Sequence, residues 1–190
     1  MQKNLPKIYC FVDEFNLSDL SKLSKDISII YRNYDNIDHL DNILKLKKFC
    51  KHSQNKFYIS NNIKLSIKLG LSGVYIPSFN KKINYIGNFS LPKSFMIIGS
   101  AHSFSEMIIK KKQKCEEIFL SPIFKINKSK NFLNISKFNL IALNSKIDCI
   151  ALGGINQKNY KKIKLLKSSG FASISWAKKN GLKNLGRFKI

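Results

Sequence analysis

The chain is expected to fold as an α/β protein, a (β/α)8 TIM barrel, and three observations carry that expectation. Short apolar runs recur along the 190 residues, helix-period segments lie between them, and composition does not break anywhere. The runs fall at 8–12, 28–31, 57–59, 73–76, 95–99, 117–120, 148–152 and 172–175. Most are continuous hydrophobic stretches, the pattern of strands covered on both faces. Parallel strands joined by helices cross over right-handedly, and closing the units into a barrel is the economical arrangement. A doubly wound open sheet is the alternative, but no G-x-G-x-x-G follows the first run.

Helix-period segments are read at 17–23, 37–50, 63–69, 103–112, 135–143 and 157–166. In the second of these, Ile37, Leu40, Ile43 and Leu44 predict the apolar stripe. Asn36 and Asn156 are placed as N-caps, and Gly70 and Gly170 as helix stops. The stretch 79–93 predicts only an irregular connection or a short helix around 83–86. A chain of 190 residues is shorter than the roughly 250 typical of this barrel, so the loops are trimmed and a last helix, somewhere in 182–188, is rudimentary.

With 44% hydrophobic and 12% aromatic residues, the chain 1–190 is expected to form one compact domain, which excludes disorder and low complexity. No apolar run approaches the roughly 20 residues of a membrane span. The first ten residues lack the apolar core of a secretory signal. A net charge of +23, from 34 basic and 11 acidic residues, invites a nucleic-acid reading. Arg32 and Arg187 are the only arginines, however, and the lysines are scattered through every segment. Arginine forms the forks that read bases and phosphates, so nucleic acid is disfavoured as a partner. Cys10, Cys50, Cys115 and Cys149 show no C-x-x-C spacing, which argues against a zinc knuckle or redox pair and fits a reducing, cytoplasmic setting. Self-association is left open.

In such a barrel the chemistry sits at the carboxyl ends of the strands. That rule selects Asp13, Arg32, Asn61, Tyr75, Ser100, His102, Pro122, Gly153, Gly154, Ser173 and Ser175. In Ala151-Leu152-Gly153-Gly154-Ile155-Asn156 a buried strand runs into two glycines and a capping Asn, a backbone that can approach a phosphate closely; the alternative is a tight turn. Arg32 closes the second strand, where a bidentate fork on phosphate would be useful. Ser100 is a candidate oxyanion contact. His102 is read equally as a substrate contact or as a structural hydrogen-bonder. The loop after the sixth strand is basic and could close over a polyanion through Lys128 or Lys130, or be a solvated lysine run.

At these residues the sequence resembles the thiamine phosphate synthase and TenI family, over nearly the whole chain from Ile8 to Trp176. The resemblance is carried by Ile8-Tyr9-Cys10-Phe11-Val12-Asp13, Phe57-Tyr58-Ile59-Ser60-Asn61-Asn62, Gly73-Val74-Tyr75-Ile76, Ser100-Ala101-His102-Ser103, Leu120-Ser121-Pro122-Ile123-Phe124, the double-glycine segment and Gly170-Phe171-Ala172, in this order. It implies a transferase of thiamine biosynthesis that joins hydroxymethylpyrimidine diphosphate to thiazole phosphate, releasing pyrophosphate with the help of Mg²⁺. On that reading Arg32 contacts pyrophosphate, Ser100 lies near the pyrimidine, and Lys130 or Lys128 is the loop lysine. Gly153 and Gly154 hold the thiazole phosphate, with Ser173 and Ser175 on the last strand and Asn61 also at the substrate.

The departures from the family pattern fall on the chemistry. The family's Gln-x-Arg-x-Lys reads Ile30-Tyr31-Arg32-Asn33-Tyr34, and its threonine after the sixth strand reads Ile126. A family Gly reads Ser173, and the TenI histidine reads Pro122. The carboxylates that would hold Mg²⁺ read Asn61 and Asn80, and a hard cation binds weakly to so few anionic ligands. Two functions are therefore expected to compete: the synthase reaction itself, and a divergent TenI-like barrel that binds a thiazole or phosphate ligand without it.

Overall fold

A computed structural model describes residues 6–34, 39–87, 89–127 and 131–173. The strands are β1 (Lys7–Val12), β2 (Ile27–Tyr31), β3 (Phe57–Ser60), β4 (Gly73–Ile76), β5 (Met96–Ala101), β6 (Glu117–Leu120), β7 (Asp148–Leu152) and β8 (Gly170–Ser173). Between them lie α1 (Leu17–Leu20), α2 (His39–Ser53), α3 (Ile63–Lys68), α4 (Phe104–Lys112), α5 (Asn134–Ser145) and a 3-10 segment, Tyr160–Leu165. The strands pair in parallel in chain order and β8 returns to β1, so the sheet closes into the expected barrel. Asn36, Lys128, Lys130, Ser175 and the 182–188 segment lie outside the described residues. Among the described residues no helix is long and apolar enough to cross a membrane.

Alternation along each strand splits the apolar residues into two layers. Outward side chains such as Cys10, Ile29, Val74 and Ile118 pack with the helices, while Tyr9, Phe11, Ile30, Tyr58, Tyr75, Ile98, Phe119, Ile150, Leu152 and Ala172 fill the barrel. The filling is aromatic and meets edge to face, with ring centroids 4.9 Å apart for Tyr9–Phe119, 5.3 Å for Phe11–Tyr75 and 5.8 Å for Tyr75–Phe119. The amino-terminal end is closed by charge. Lys7 on β1 bridges Glu117 on β6 at 2.7 Å and Asp148 on β7 at 2.6 Å, and the Tyr9 hydroxyl donates to the other Glu117 oxygen. Gly170 faces Lys7 across the β1–β8 ladder and puts no side chain in the way.

Several expected boundaries move, each for a physical reason. β8 starts at Gly170, two residues before the predicted 172, and Gly170 is a strand residue and not a helix stop. Its role is steric, since a Cβ there would lie 1.9 Å from the Lys7 carbonyl oxygen. Gly70 does terminate its helix, in the left-handed region at φ 59°. The predicted helix 157–166 is a 3-10 segment beginning at Tyr160. Asn156 does not cap it directly; its side-chain oxygen takes the Lys158 N–H at 2.9 Å while its own N–H donates to Asn159 at 2.8 Å. α1 stops at Leu20, short of the predicted 23. In α2, Ile43 of the predicted stripe is buried, but Leu40 and Leu44 are exposed and the buried face continues through Leu46 and Cys50 with a three-then-four spacing, while Ile37 lies outside the described residues. The β4–β5 connection is irregular, anchored by the buried Ile86 and Phe95.

Candidate functional site

The carboxyl end of the barrel gathers most of the described sequence-selected residues. Arg32 extends the inward face of β2 two positions beyond Ile30, and its backbone N–H donates to the Val12 carbonyl at 2.7 Å. Its guanidinium carbon lies 4.8 Å from the centre of the Phe11 ring, so the half-buried cation rests on the aromatic filling at the carboxyl end of β2. Beside it the Asn33 amide donates to the Asp13 carbonyl at 2.9 Å, tying the ends of β1 and β2. Ser100 stands above Ile98 on the inner face of β5, 4% exposed, and accepts the Tyr75 hydroxyl at 2.8 Å. Burial pushes the Tyr75 phenol up to about 12, against the lowering by Ser100, so it remains a neutral donor.

The rim beyond β3 and β4 is built by polar pairs. Tyr34 and Ser60 share a hydroxyl hydrogen bond at 2.7 Å, and the Tyr34 ring meets Phe79 edge to face at 5.3 Å. Asn61 takes the left-handed conformation at φ 55°, which an Asn tolerates, and its N–H donates to the Tyr75 carbonyl at 2.8 Å. That turn presents its side chain to Asn80, whose amide donates to the Asn61 oxygen at 2.6 Å. The Asn80 oxygen in turn accepts the Lys82 N–H at 3.0 Å. Both amide oxygens are thus engaged and neither carries charge. Mg²⁺ takes oxygen ligands in near-octahedral geometry and favours carboxylates, so this pair does not fit it.

His102 is held from three sides. Its Nδ1 lies 2.7 Å from the Ser121 carbonyl and must donate to it, its Nε2 lies 3.0 Å from Ser78 Oγ, and its backbone N–H donates to Glu106 at 2.8 Å. Next to it a cleft of about 810 Å³ is lined among the described residues by Ser121, Pro122, Ile126, Phe132 and Lys137. Gly153 and Gly154 have φ of 91° and 74°. A Cβ on the first would lie 2.8 Å from the Pro122 Cβ, and one on the second 2.6 Å from the Phe124 carbonyl oxygen. The close passage of the 121–125 loop therefore gives both glycines a packing reason alongside the phosphate reading. Ser173 ends β8 opposite Cys10, on the outward alternation of the strand, whereas Ala172 faces in.

Sequence reasoning missed what lies under the rim. Lys110 is fully buried on α4, and its ammonium donates to the carbonyls of Pro77 at 2.7 Å and Asn80 at 2.8 Å and to Gln113 Oε1 at 2.8 Å. Gln113, also fully buried, donates to the carbonyls of Asn80 at 3.0 Å and Lys82 at 2.9 Å. Burial lowers the Lys110 pKa to about 8. The available signal was position: Lys110 follows the buried Met107 by three residues, on the face of α4 turned to the barrel.

Comparison with known proteins agrees with this barrel. Residues 24–177 match the family model described as thiamine monophosphate synthase. A thiamine-phosphate synthase of Prochlorococcus marinus is 30% identical over 123 residues, 63% of this chain and 35% of the relative. One from Prochlorococcus marinus subsp. pastoris is 25% identical over 134 residues, 70% of this chain and 37% of the relative. The aligned part thus spans little more than a third of these relatives' own length. Among solved structures, thiamine phosphate pyrophosphorylase from Pyrococcus furiosus superposes with a TM-score of 0.74 at 16% identity, covering 94% of this chain and 90% of that one. N-(5'-phosphoribosyl)anthranilate isomerase from the same organism gives 0.66 at 13% identity, covering 93% and 92%. The structural likenesses speak to the barrel alone, and the family match over most of the sequence goes further: the chain belongs to the thiamine monophosphate synthase family.

Proposed function

We propose that the protein is a transferase of thiamine biosynthesis whose barrel mouth takes phosphorylated pyrimidine and thiazole substrates. The observation that supports this reading most directly is Arg32, seated on Phe11 at the end of β2 in a chain of this family. In the reaction, the thiazole nitrogen forms a bond to the methylene carbon of hydroxymethylpyrimidine diphosphate as the carbon–oxygen bond breaks, and pyrophosphate leaves with the electron pair. Charge gathers on the leaving group, so a fixed guanidinium there stabilises the transition state more than the ground state. The Tyr75–Ser100 pair lies on the inner wall, where it would orient the pyrimidine, and Gly153 and Gly154 would receive the thiazole phosphate. Lys128, Lys130 and Ser175 keep their proposed roles as loop and strand-end contacts, Ser173 loses its own because it faces outward on β8, and His102 would position the loop through Ser78 and Ser121.

The Asn61–Asn80 pair favours a second reading, a barrel that binds such ligands without turning them over. One assay separates the two. Purified protein is given both substrates, with and without Mg²⁺, and thiamine phosphate is read as fluorescent thiochrome. The expected result is product formation that falls by about 100-fold or more in Arg32→Ala, the scale of losing one transition-state charge contact. No product, together with a melting temperature raised by thiazole phosphate, would establish the second reading.

A further inference from the structure

The ammonium of Lys110 sits directly beneath the Asn61–Asn80 rim with three neutral acceptors and no carboxylate among them. A buried cation bonded only to neutral groups is costly unless an anion is close by at some stage of function. Above it, two amides occupy each other where carboxylates would call for a metal ion. We propose that the β4 rim binds the anionic end of its ligand without a divalent cation, and that the buried Lys110 ammonium supplies the fixed positive charge in the metal's stead. The inference rests on the reading that the mouth takes a phosphorylated compound, and it adds how that compound is held.

Burial disfavours this charge, lowering Lys110 to about 8, yet leaves the amine mostly protonated at neutral pH. The Lys110 stem runs over Gly99, where a Cβ would lie 3.0 Å from its Cδ. The thiol of Cys115, at the same spot, is pushed up to about 12 by burial and stays neutral. Glu106, a turn earlier on α4, hydrogen-bonds the His102 N–H with its carboxylate and favours the ammonium at a distance without bonding to it. The β4 loop offers Lys110 backbone carbonyls from Pro77 and Asn80, and Gln113 contributes an amide. A positive charge is therefore held in one place behind the rim, and the same hydrogen bonds set the position of Asn80. Lys110 acts as a positioning residue and a source of field, without touching the ligand.

The test is calorimetric titration of the full chain with inorganic pyrophosphate, first in EDTA and then with excess Mg²⁺. Pyrophosphate is expected to bind in EDTA, and Mg²⁺ leaves the affinity equal or weaker. Lys110→Met should weaken binding by about tenfold. Gln113→Glu, which keeps the amine but neutralises its charge, should weaken it similarly. The ratio of wild-type to Lys110→Met affinity should then fall toward one as the pH rises through about 8 and the amine loses its proton, a trend that a purely structural peg would not produce. Binding that Mg²⁺ tightens by tenfold or more overturns the inference while leaving the phosphorylated-ligand reading intact. Wild-type affinity in both variants, each melting cooperatively, also overturns it. The wild-type comparison of EDTA with Mg²⁺ needs no variant, so the proposal can fail even if neither substitution folds. Failure to bind pyrophosphate under either condition, with thiazole phosphate also unbound, removes the underlying reading as well.

Discussion

Gly70 and Gly170 look alike in the sequence, each following a helix-period segment, and a methyl group added to each separates them. At Gly70 a Cβ meets nothing within 4 Å, so Gly70→Ala carries only the left-handed backbone penalty, about 1 kcal/mol. At Gly170 it would be driven to 1.9 Å from the Lys7 carbonyl, on the seam where β8 meets β1. Gly170→Ala is therefore expected to cost about 3 kcal/mol or more, and thermal unfolding should show it melting well below Gly70→Ala. The difference was not legible from one stretch of sequence, because the clash comes from a strand more than 160 residues earlier in the chain. Arg32 and Asn61 were legible, since strand ends can be read from apolar runs and the barrel rule makes those ends the site, whereas Asn80, four residues past β4, was named only through the family resemblance. Lys110 was hidden in a run of three lysines, where nothing in composition distinguishes the one that turns inward.

At the scale of elements, the two ends of the barrel have different tasks, and the aromatic filling keeps them apart. The Lys7–Glu117–Asp148 cluster closes the amino-terminal end, with Glu117 only 2% exposed. Lys7→Met leaves that buried carboxylate with Tyr9 as its remaining neutral partner, and the expected loss is about 3 kcal/mol of stability by denaturant titration. Pyrophosphate affinity at the opposite end should be unchanged, and a parallel loss of both would contradict this division. The strands were readable because they are short apolar runs buried on both faces. Helices were read less well: α2 turns Ile43, Leu46 and Cys50 inward while Leu40 and Leu44 face solvent, and a lysine-rich helix surface leaves the phase of the apolar stripe weakly marked. The 3-10 segment before β8 takes the place of a full helix, its entry built by Asn156 and Asn159 bonding reciprocally around the Gly154 carbonyl.

For the whole molecule, burial of ionisable groups sets how stability follows pH. The Lys110 ammonium has its ordinary value of 10.5 in the unfolded chain and about 8 in the fold, because burial disfavours its charge. Between those values the unfolded chain binds more protons than the folded one, so stability rises with pH, by up to about 3 kcal/mol. Tyr9, Tyr58 and Tyr75 act in the opposite sense: burial raises all three, and their contribution is lost as pH climbs above the ordinary value of 10.0. The buried thiols of Cys50, Cys115 and Cys149 are raised too and oppose Lys110 from their ordinary value of 9.0, so chemical denaturation should show stability climbing from about pH 8 and turning over near pH 9, with the climb absent in Lys110→Met. At the acid end the Lys7 hydrogen bond holds the Asp148 carboxyl below its ordinary value, so its contribution is complete at neutral pH and fades only in strong acid. The four cysteines are spread around the same barrel, Cys10 on β1, Cys50 on α2, Cys115 before β6 and Cys149 on β7, each buried and outside any disulfide. Burial raises the thiols of Cys50 and Cys115 to about 12, so a disulfide reagent reaches them only when their sector opens. The native chain thus carries its own set of reporters: four exchange rates, followed by mass, would chart which arc of the barrel breathes first and which yields only when the whole ring comes apart.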